Sequence, residues 1–413
     1  MNKLAKKFLW GAATSAHQVE GNNNNSDWRQ WEQNGKVKQC SAKAANQYQL
    51  YAQDFALAKK LNHNAHRLSI EWSRIEPKSG EFSLNEISHY KKVIINLKEK
   101  KITPLITLHH FTNPIWFANI GGWLNKNSPQ LFSNYVRRVA QDLAEEVDFW
   151  ITINEPGVLC YHSYMLGLWP PGMKSLKKTQ KALKNLLSAH ILAYKTIKTI
   201  YKNKGLAPPL ISIAKHLQAF HPCPNSNLFL NKISVFLRNK YFNYGPINFL
   251  NRKKTLDFIG INYYTMNFIK FCGFKNNGIL GEECDCSEHS KNFKKNSLGW
   301  KIYPKGIFEI LQKLKKYNLP LIITENGICT DDDKLRSAYI EAHVKQIVKA
   351  IKTGINVKGY FYWSLIDNFE WHEGFAPRFG LIKVDYQTFK RYIRPSAFLL
   401  SKLINENLKN NAF

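Results

Sequence analysis

The chain predicts an α/β fold, a (β/α)8 TIM barrel with extended βα loops, on three observations. Short apolar runs recur eight times along 413 residues, helical patterns separate them, and no glycine-rich phosphate loop follows any of them. The last point removes the sequence reason to prefer a doubly wound sheet. The runs cover 8–13, 65–70, 103–108, 149–154, 210–214, 258–262, 321–324 and 359–365.

The first run lies in MNKLAKKFLWGAATSAHQ, which imitates a secretory signal. Its apolar core is short and interrupted by Gly11, so it reads as a first strand. A helix over 44–61 follows, with Tyr48, Tyr51, Phe55 and Ala58 recurring at i, i+3, i+7 and i+10 on one face. Helices over 85–100, 128–146, 183–201, 304–317 and 334–353 fill later gaps. The fourth run, FWITIN, has the β-branched and aromatic bulk of a strand and stops abruptly at Asn154-Glu155-Pro156. No repeat or linker divides the chain, which reads as one catalytic domain over 1–413, with 267–303, rich in Asn, Lys, Gly and Cys, as a loop insertion.

Composition narrows the function classes. Hydrophobic residues make up 44% of the chain, enough for a large core, yet no apolar run approaches the ~20 residues of a spanning helix, so no membrane partner is expected. Seven cysteines, at 40, 160, 223, 272, 284, 286 and 329, form no regular framework and point to a reducing compartment, the cytoplasm. Cys272, Cys284, Cys286 and His289 are metal-ligand types without a CxxC pair in a polar loop, which reads as a surface insertion and not a zinc site. The net charge of +29 comes from 48 Lys and 11 Arg against 30 acidic residues. The lysines are scattered over helical segments and no recognition motif accompanies them, so no nucleic-acid partner is expected.

The ends of the runs carry Gln18, Arg67, His110, Asn154 with Glu155, Tyr264, Glu325 with Asn326, and Trp363. Taken singly, each has an ordinary structural explanation: a surface ion pair for Arg67, a satisfied buried ring for His110, a core filler for Tyr264. Together they occupy the C-terminal rim where barrel enzymes assemble their sites. Glu155 and Glu325 there make a carboxylate pair that can flank a sugar, one protonating the leaving oxygen and the other attacking the anomeric carbon or activating water. A proton donor wants a raised pKa and a nucleophile wants a cation and hydrogen-bond donors. Arg67 and Tyr264 are available to Glu325, and the charge of Glu325 is expected to raise Glu155.

The motifs FLWGAATSAHQVEG at 8–21, HRLSIEWSRI at 66–75, TINEP at 152–156, DFIGINYYT at 257–265, ITENG at 323–327 and YWSLIDNFEWHEGFAPRFGL at 362–381 together resemble family-one glycoside hydrolases. The resemblance runs from Phe8 to about Tyr386. It implies a retaining β-glycosidase with no metal or organic cofactor and a small-molecule β-glycoside as its partner. On matching positions, Glu155 would be the acid/base, Glu325 the nucleophile, and Arg67 and Tyr264 its supports. Gln18, His110, Asn154, Glu370 and Trp371 would bind hydroxyls of the terminal sugar over Trp363. The types suit that task, since Gln, His, Asn and Glu pair with hydroxyls and Trp offers a flat apolar face.

One branch of the family acts on 6-phospho-sugars and is similar in carrying Ser where this chain has Glu370, with a Lys and a Tyr soon after. Here Ala376, Pro377 and Phe379 follow. A carboxylate opposes a phosphate, so an unphosphorylated glucoside, galactoside or fucoside is the expected substrate, and a 6-phospho-β-glucoside is the alternative. A catalytically silent barrel that binds carbohydrate or anions is a further alternative, set back by the presence of both Glu155 and Glu325. Phe111 and Thr112 stand where many relatives have Trp and Asp, and His216 where Asn is frequent. The aglycone wall is expected from 157–164, Trp169 and the insertion.

Overall fold

The computed structural model describes residues 7–224, 226–274, 278–284 and 293–409. Eight parallel strands close into a barrel: β1 (Leu9–Ala13), β2 (Ala65–Ser69), β3 (Thr103–Thr107), β4 (Phe149–Asn154), β5 (Leu210–Pro222), β6 (Ile259–Lys270), β7 (Leu321–Asn326) and β8 (Val357–Trp363). Each pairs with the next, and β8 returns to β1 in the register Leu9↔Gly359 through Ala13↔Trp363.

Alternation along the strands makes two cores. One fills the barrel with Leu9, Ala65, Leu105, Phe149 and Phe361; the other, with Trp10, Leu68, Ile106 and Trp150, packs against the helices. On β2 this parity puts Arg67 inside with Ala65, while His66 turns outward against Phe55 at a ring distance of 5.1 Å. Gly11 is explained by crowding, because a Cβ there would fall 2.0 Å from the Ala65 carbonyl oxygen.

Helices Gln47–Lys60, Leu84–Glu99, Ser128–Leu143, Leu176–Asn203, Lys305–Leu314 and Asp333–Lys352 occupy the expected gaps. Beyond short helical turns, the helices Leu228–Arg238 and Gly245–Arg252 between β5 and β6, and Pro395–Lys409, were not expected. Leu228–Arg238 reverses the usual pattern, burying Asn231 and Ser234 while Phe229 and Phe236 stay exposed, so hydrophobic periodicity does not mark its inner face.

Strands β5 and β6 outrun the expected 210–214 and 258–262. Polar residues break the apolar runs, but the two strands keep pairing past the rim, from Ala219↔Met266 to Pro222↔Ile269. The expected insertion at 267–303 therefore begins inside β6, and Glu282–Glu283 pairs back on it antiparallel. Cys286 and His289 lie outside the described residues. Cys284 is disulfide-bonded, which its sequence spacing does not announce. No helix among the described residues is long and apolar enough to cross a membrane.

Candidate active site

A cavity of about 520 Å³ opens at the C-terminal ends of the strands, and Gln18, His110, Asn154, Glu155, Tyr264, Glu325, Trp363, Glu370 and Trp371 all line it. Arg67 stands behind this wall, 1% exposed, where a surface ion pair is impossible.

Position follows from strand geometry. Asn154 is the last residue of β4, and Glu155 leaves it in the left-handed region at φ 43°, a conformation costing a non-glycine residue about 1–2 kcal/mol. Pro156 then starts a short helix, Pro156–Cys160, with no amide hydrogen to satisfy. Phe111 and Trp371 also have positive φ, 74° and 53°, so three pocket residues share this unfavourable backbone.

Arg67 distributes three donors: Nε to Thr107 at 3.0 Å, Nη1 to Glu325 Oε1 at 2.5 Å and Nη2 to Asn154 Oδ1 at 2.7 Å. Tyr264 Oη donates to the other Glu325 oxygen at 2.6 Å. Both oxygens of Glu325 thus receive a donor. Asn262 was not among the expected site residues, yet its Nδ2 donates to Glu155 Oε1 at 2.7 Å and to Asn154 Oδ1 at 3.2 Å. Thr324 fixes the amide by donating to Asn262 Oδ1 at 2.6 Å. A continuous side-chain chain, Glu155–Asn262–Asn154–Arg67–Glu325, links the two carboxylates. Asn262 lies within the DFIGINYYT motif, but a buried Asn in a strand does not declare its partner from sequence.

At the opposite wall, Gln18 Nε2 donates to the Phe369 carbonyl at 2.9 Å and to Glu370 Oε2 at 3.3 Å. Asn154 Nδ2 donates to His110 Nε2 at 3.1 Å, which places the ring proton on Nδ1. Burial, with the Arg67 charge beside it, holds His110 neutral, well below the ordinary histidine range. Its ring lies nearly parallel to Trp363 and Trp371, at 5.9 and 6.2 Å. Phe111 meets Trp169 and Trp371 in the wall, whereas Thr112 points away and donates to both Glu71 oxygens at 3.0 and 2.8 Å.

The loop carrying Glu370 and Trp371 is anchored by Asp367, which is fully buried. It accepts from Arg394 Nη1 and Nη2 at 3.0 and 2.9 Å and from the Gly380 amide at 2.9 Å.

Electrostatics departs from expectation. Burial raises Glu155, but His216, Asn262 and Lys215 more than offset it and leave the carboxyl below its ordinary range. Burial and the Glu155 charge push Glu325 up to about 7 against Arg67 and Tyr264. The expected order is reversed because Lys215 and His216 of β5 and Asn262 of β6 face Glu155. Glu370 is pushed up to about 8 by burial and by the charges of Glu325 and Glu155. Among the described residues no cluster of three His, Cys, Asp or Glu is arranged to hold a metal.

A closed (β/α)8 barrel with carboxylates facing a pocket at its C-terminal rim defines a class, the barrel glycoside hydrolases. The family profile of Glycosyl hydrolase family 1 matches residues 1–245 and 239–409, and the chain belongs to that family. Beta-glucosidase A of Thermotoga maritima is 33% identical over 98% of this chain and 99% of its own length. A beta-galactosidase of Pyrococcus woesei is 30% identical over 97% of each chain. Among solved structures, a beta-glycosidase from Pyrococcus horikoshii superposes with a TM-score of 0.89 at 37% identity, covering 100% of this chain and 98% of that one. The Thermotoga maritima beta-glucosidase in complex with glucoimidazole gives 0.88 at 31%, covering 97% and 98%. The protein is a glycoside hydrolase, a β-glycosidase.

Proposed function

We propose that the enzyme hydrolyses terminal non-reducing β-D-glucosyl residues, with galactosyl or fucosyl residues as further substrates, by double displacement. The observation that carries this reading is the unequal outfitting of the two carboxylates. Glu325 has a donor on each oxygen, from Arg67 and Tyr264, which stabilises an anion poised to attack. Among the described residues Glu155 has only Oε1 engaged, by Asn262 with His216 Nδ1 3.6 Å away, and its second oxygen is left for the glycosidic oxygen.

In the first step Glu325 bonds to the anomeric carbon, the glycosidic C–O bond breaks, and the Glu155 proton goes to the leaving oxygen. In the second, water attacks the anomeric carbon, its proton goes to Glu155, and the Glu325 carboxylate is released. Gln18, His110, Asn154, Glu370 and Trp371 hold the sugar hydroxyls over Trp363. Burial, joined by the charges of Glu325 and Glu155, pushes Glu370 up to about 8; those neighbouring acids also disfavour a phosphate on the sugar, and the 6-phospho-glycoside reading ranks second for that reason.

The test is release of nitrophenol from nitrophenyl β-glucoside, β-galactoside, β-fucoside and 6-phospho-β-glucoside, with Glu155→Gln and Glu325→Gln alongside. Turnover of neutral sugars, lost in both variants, and a glycosylated Glu325 peptide trapped with a 2-fluoro-glycoside support the reading. Folded protein that binds sugar without turnover returns it to a silent binding barrel. We also place the enzyme in the cytoplasm on its irregular cysteine spacing; the disulfide at Cys284 stands against this, and thiol titration of protein isolated under alkylation decides it.

A further inference from the structure

We propose that the helix Leu228–Arg238, with the turn that follows it, is a docking surface for a lipid bilayer with anionic headgroups, so that the enzyme lies against a membrane without spanning it.

Charge singles out this part of the chain. Between Glu155 and Asp257 there are 16 Lys and Arg and no Asp or Glu, which accounts for more than half of the net charge of +29. Four of the twelve large hydrophobic residues exposed among the described residues, Leu228, Phe229, Phe236 and Tyr241, fall in the single stretch 228–241. That concentration makes a patch, where scattered exposure would need no explanation.

The helix is mounted with its polar face inward. Asn231 Nδ2 donates to the Cys223 carbonyl at 2.6 Å, and its Oδ1 accepts from the Phe271 amide at 2.8 Å. Ser234 Oγ donates to the Ile279 carbonyl at 2.8 Å, and Arg238 Nε and Nη2 donate to the carbonyls of Leu280 and Gly281 at 2.9 and 2.7 Å. These bonds fix the rotation of the helix. On its other side stand Phe229, Ile233 and Phe236 at i, i+4 and i+7, the two rings 72% and 63% exposed and Ile233 half-buried. Lys232 within this face and Lys240 just beyond it are both exposed, and Lys240 Nζ lies 5.6 Å from the Tyr241 ring centroid. Phe274, 77% exposed, extends the patch from the segment after β6, where its ring meets Phe271 at 5.1 Å.

An apolar strip flanked by lysines matches the bilayer interface, in which rings enter the headgroup boundary and ammonium groups meet phosphate. A second copy of the chain fits less well, because a symmetric contact would set Lys232 and Lys240 against their own copies in a segment without acids. A nucleic-acid strand is matched by a charged groove with separate stacking rings, whereas here a continuous strip faces outward. The lack of a long apolar helix among the described residues bears on crossing a bilayer, not on lying against one. The same lobe borders the cavity: Asn243 pairs with the backbone of Gln218, a cavity residue, through Oδ1 at 3.1 Å and Nδ2 at 2.8 Å. Docking there holds the cavity close to the membrane.

The test is co-sedimentation of the full chain, at about 0.15 M salt, with vesicles of phosphatidylcholine alone and of equal parts phosphatidylcholine and phosphatidylglycerol. The parent should pellet with the mixed vesicles and stay in solution with phosphatidylcholine alone. Phe229→Ser with Phe236→Ser should weaken binding to the mixed vesicles at least about tenfold, and so should Lys232→Gln with Lys240→Gln. Urea midpoints should not move, because all four side chains are exposed; if the serine pair fails to fold, the glutamine pair decides. Absence of binding by the parent overturns the proposal, as does equal binding to phosphatidylcholine alone. Binding kept in full by the serine pair overturns it too, since overall charge would then be the cause. A phenylalanine-dependent dimer in light scattering, or phenylalanine-dependent retention of a single-stranded oligonucleotide in place of vesicles, would assign the patch to those partners instead and overturn it.

Discussion

Asn262 Nδ2 reaches Glu155 Oε1 at 2.7 Å, so an amide within the sixth strand positions the carboxylate at the end of the fourth. A hydrogen bond to a charged group contributes about 1.5–3 kcal/mol. Asn262→Ala should lower kcat about ten- to hundredfold while changing KM little, as measured by steady-state kinetics on a nitrophenyl β-glucoside. A change confined to KM would place Asn262 in sugar binding instead.

Arg67 serves Thr107, Glu325 and Asn154 with three separate nitrogens, a fork that lysine cannot reproduce. Arg67→Lys should reduce kcat by roughly 10²–10³-fold. Arg67→Met leaves Glu325 buried without its cation and should destabilise the fold by about 3–5 kcal/mol near pH 7.5, measured by urea unfolding. The part of that loss due to the charge should shrink as the pH falls below about 7, where Glu325 takes up a proton.

Asp367 anchors the loop of Glu370 and Trp371 without touching the reacting groups. Asp367→Asn should lower the melting temperature, by about 3–5 kcal/mol of stability, because the Arg394 guanidinium loses its buried anion. KM should rise more than kcat falls, since the loop carries Glu370 and Trp371, the residues proposed to bind the sugar. A variant with normal Tm would show that the Gly380 and Arg394 contacts contribute little.

The carboxylate pair should give a bell-shaped kcat/KM profile. The singly protonated pair is productive. Its last proton leaves near the value of about 7 shown by Glu325, so activity falls as the pH rises through 7. The second proton enters below the ordinary carboxylate range, because Glu155 is held low, so activity falls again only in acid. An alkaline limb above 9 would contradict this arrangement.

Acid stability should be limited by buried histidines. His63 has no partner for either ring nitrogen among the described residues, and burial pulls it down to about 4. Its folded pKa lies below the unfolded value of about 6.5, so the unfolded chain binds more protons. Stability is complete above that unfolded value and drains away as the pH drops toward 4. His63→Leu should gain about 2 kcal/mol relative to the parent between pH 7 and 5, read from urea midpoints.

Much of the barrel is legible in the chain. Eight apolar runs, the helices between them and the residues at the run ends follow from local periodicity, which a strand or amphipathic helix cannot hide. The family motifs likewise bring Glu155 and Glu325 to attention before any fold is known. What escapes is whatever depends on partners distant in sequence. β5 and β6 lengthen because each supplies the other's hydrogen bonds beyond the rim. Helix Leu228–Arg238 hides because its buried face is polar and satisfied by loop carbonyls, such as Ile279 for Ser234 and Leu280 for Arg238.

The same division holds in the site. Sequence alone determined which carboxylates sit on strand ends, because strand parity and run length are local properties. Only the tertiary structure decided their charge balance, because Lys215, His216 and Asn262 come to Glu155 from two other strands. Burial and distance set a pKa, and neither exists until the barrel closes.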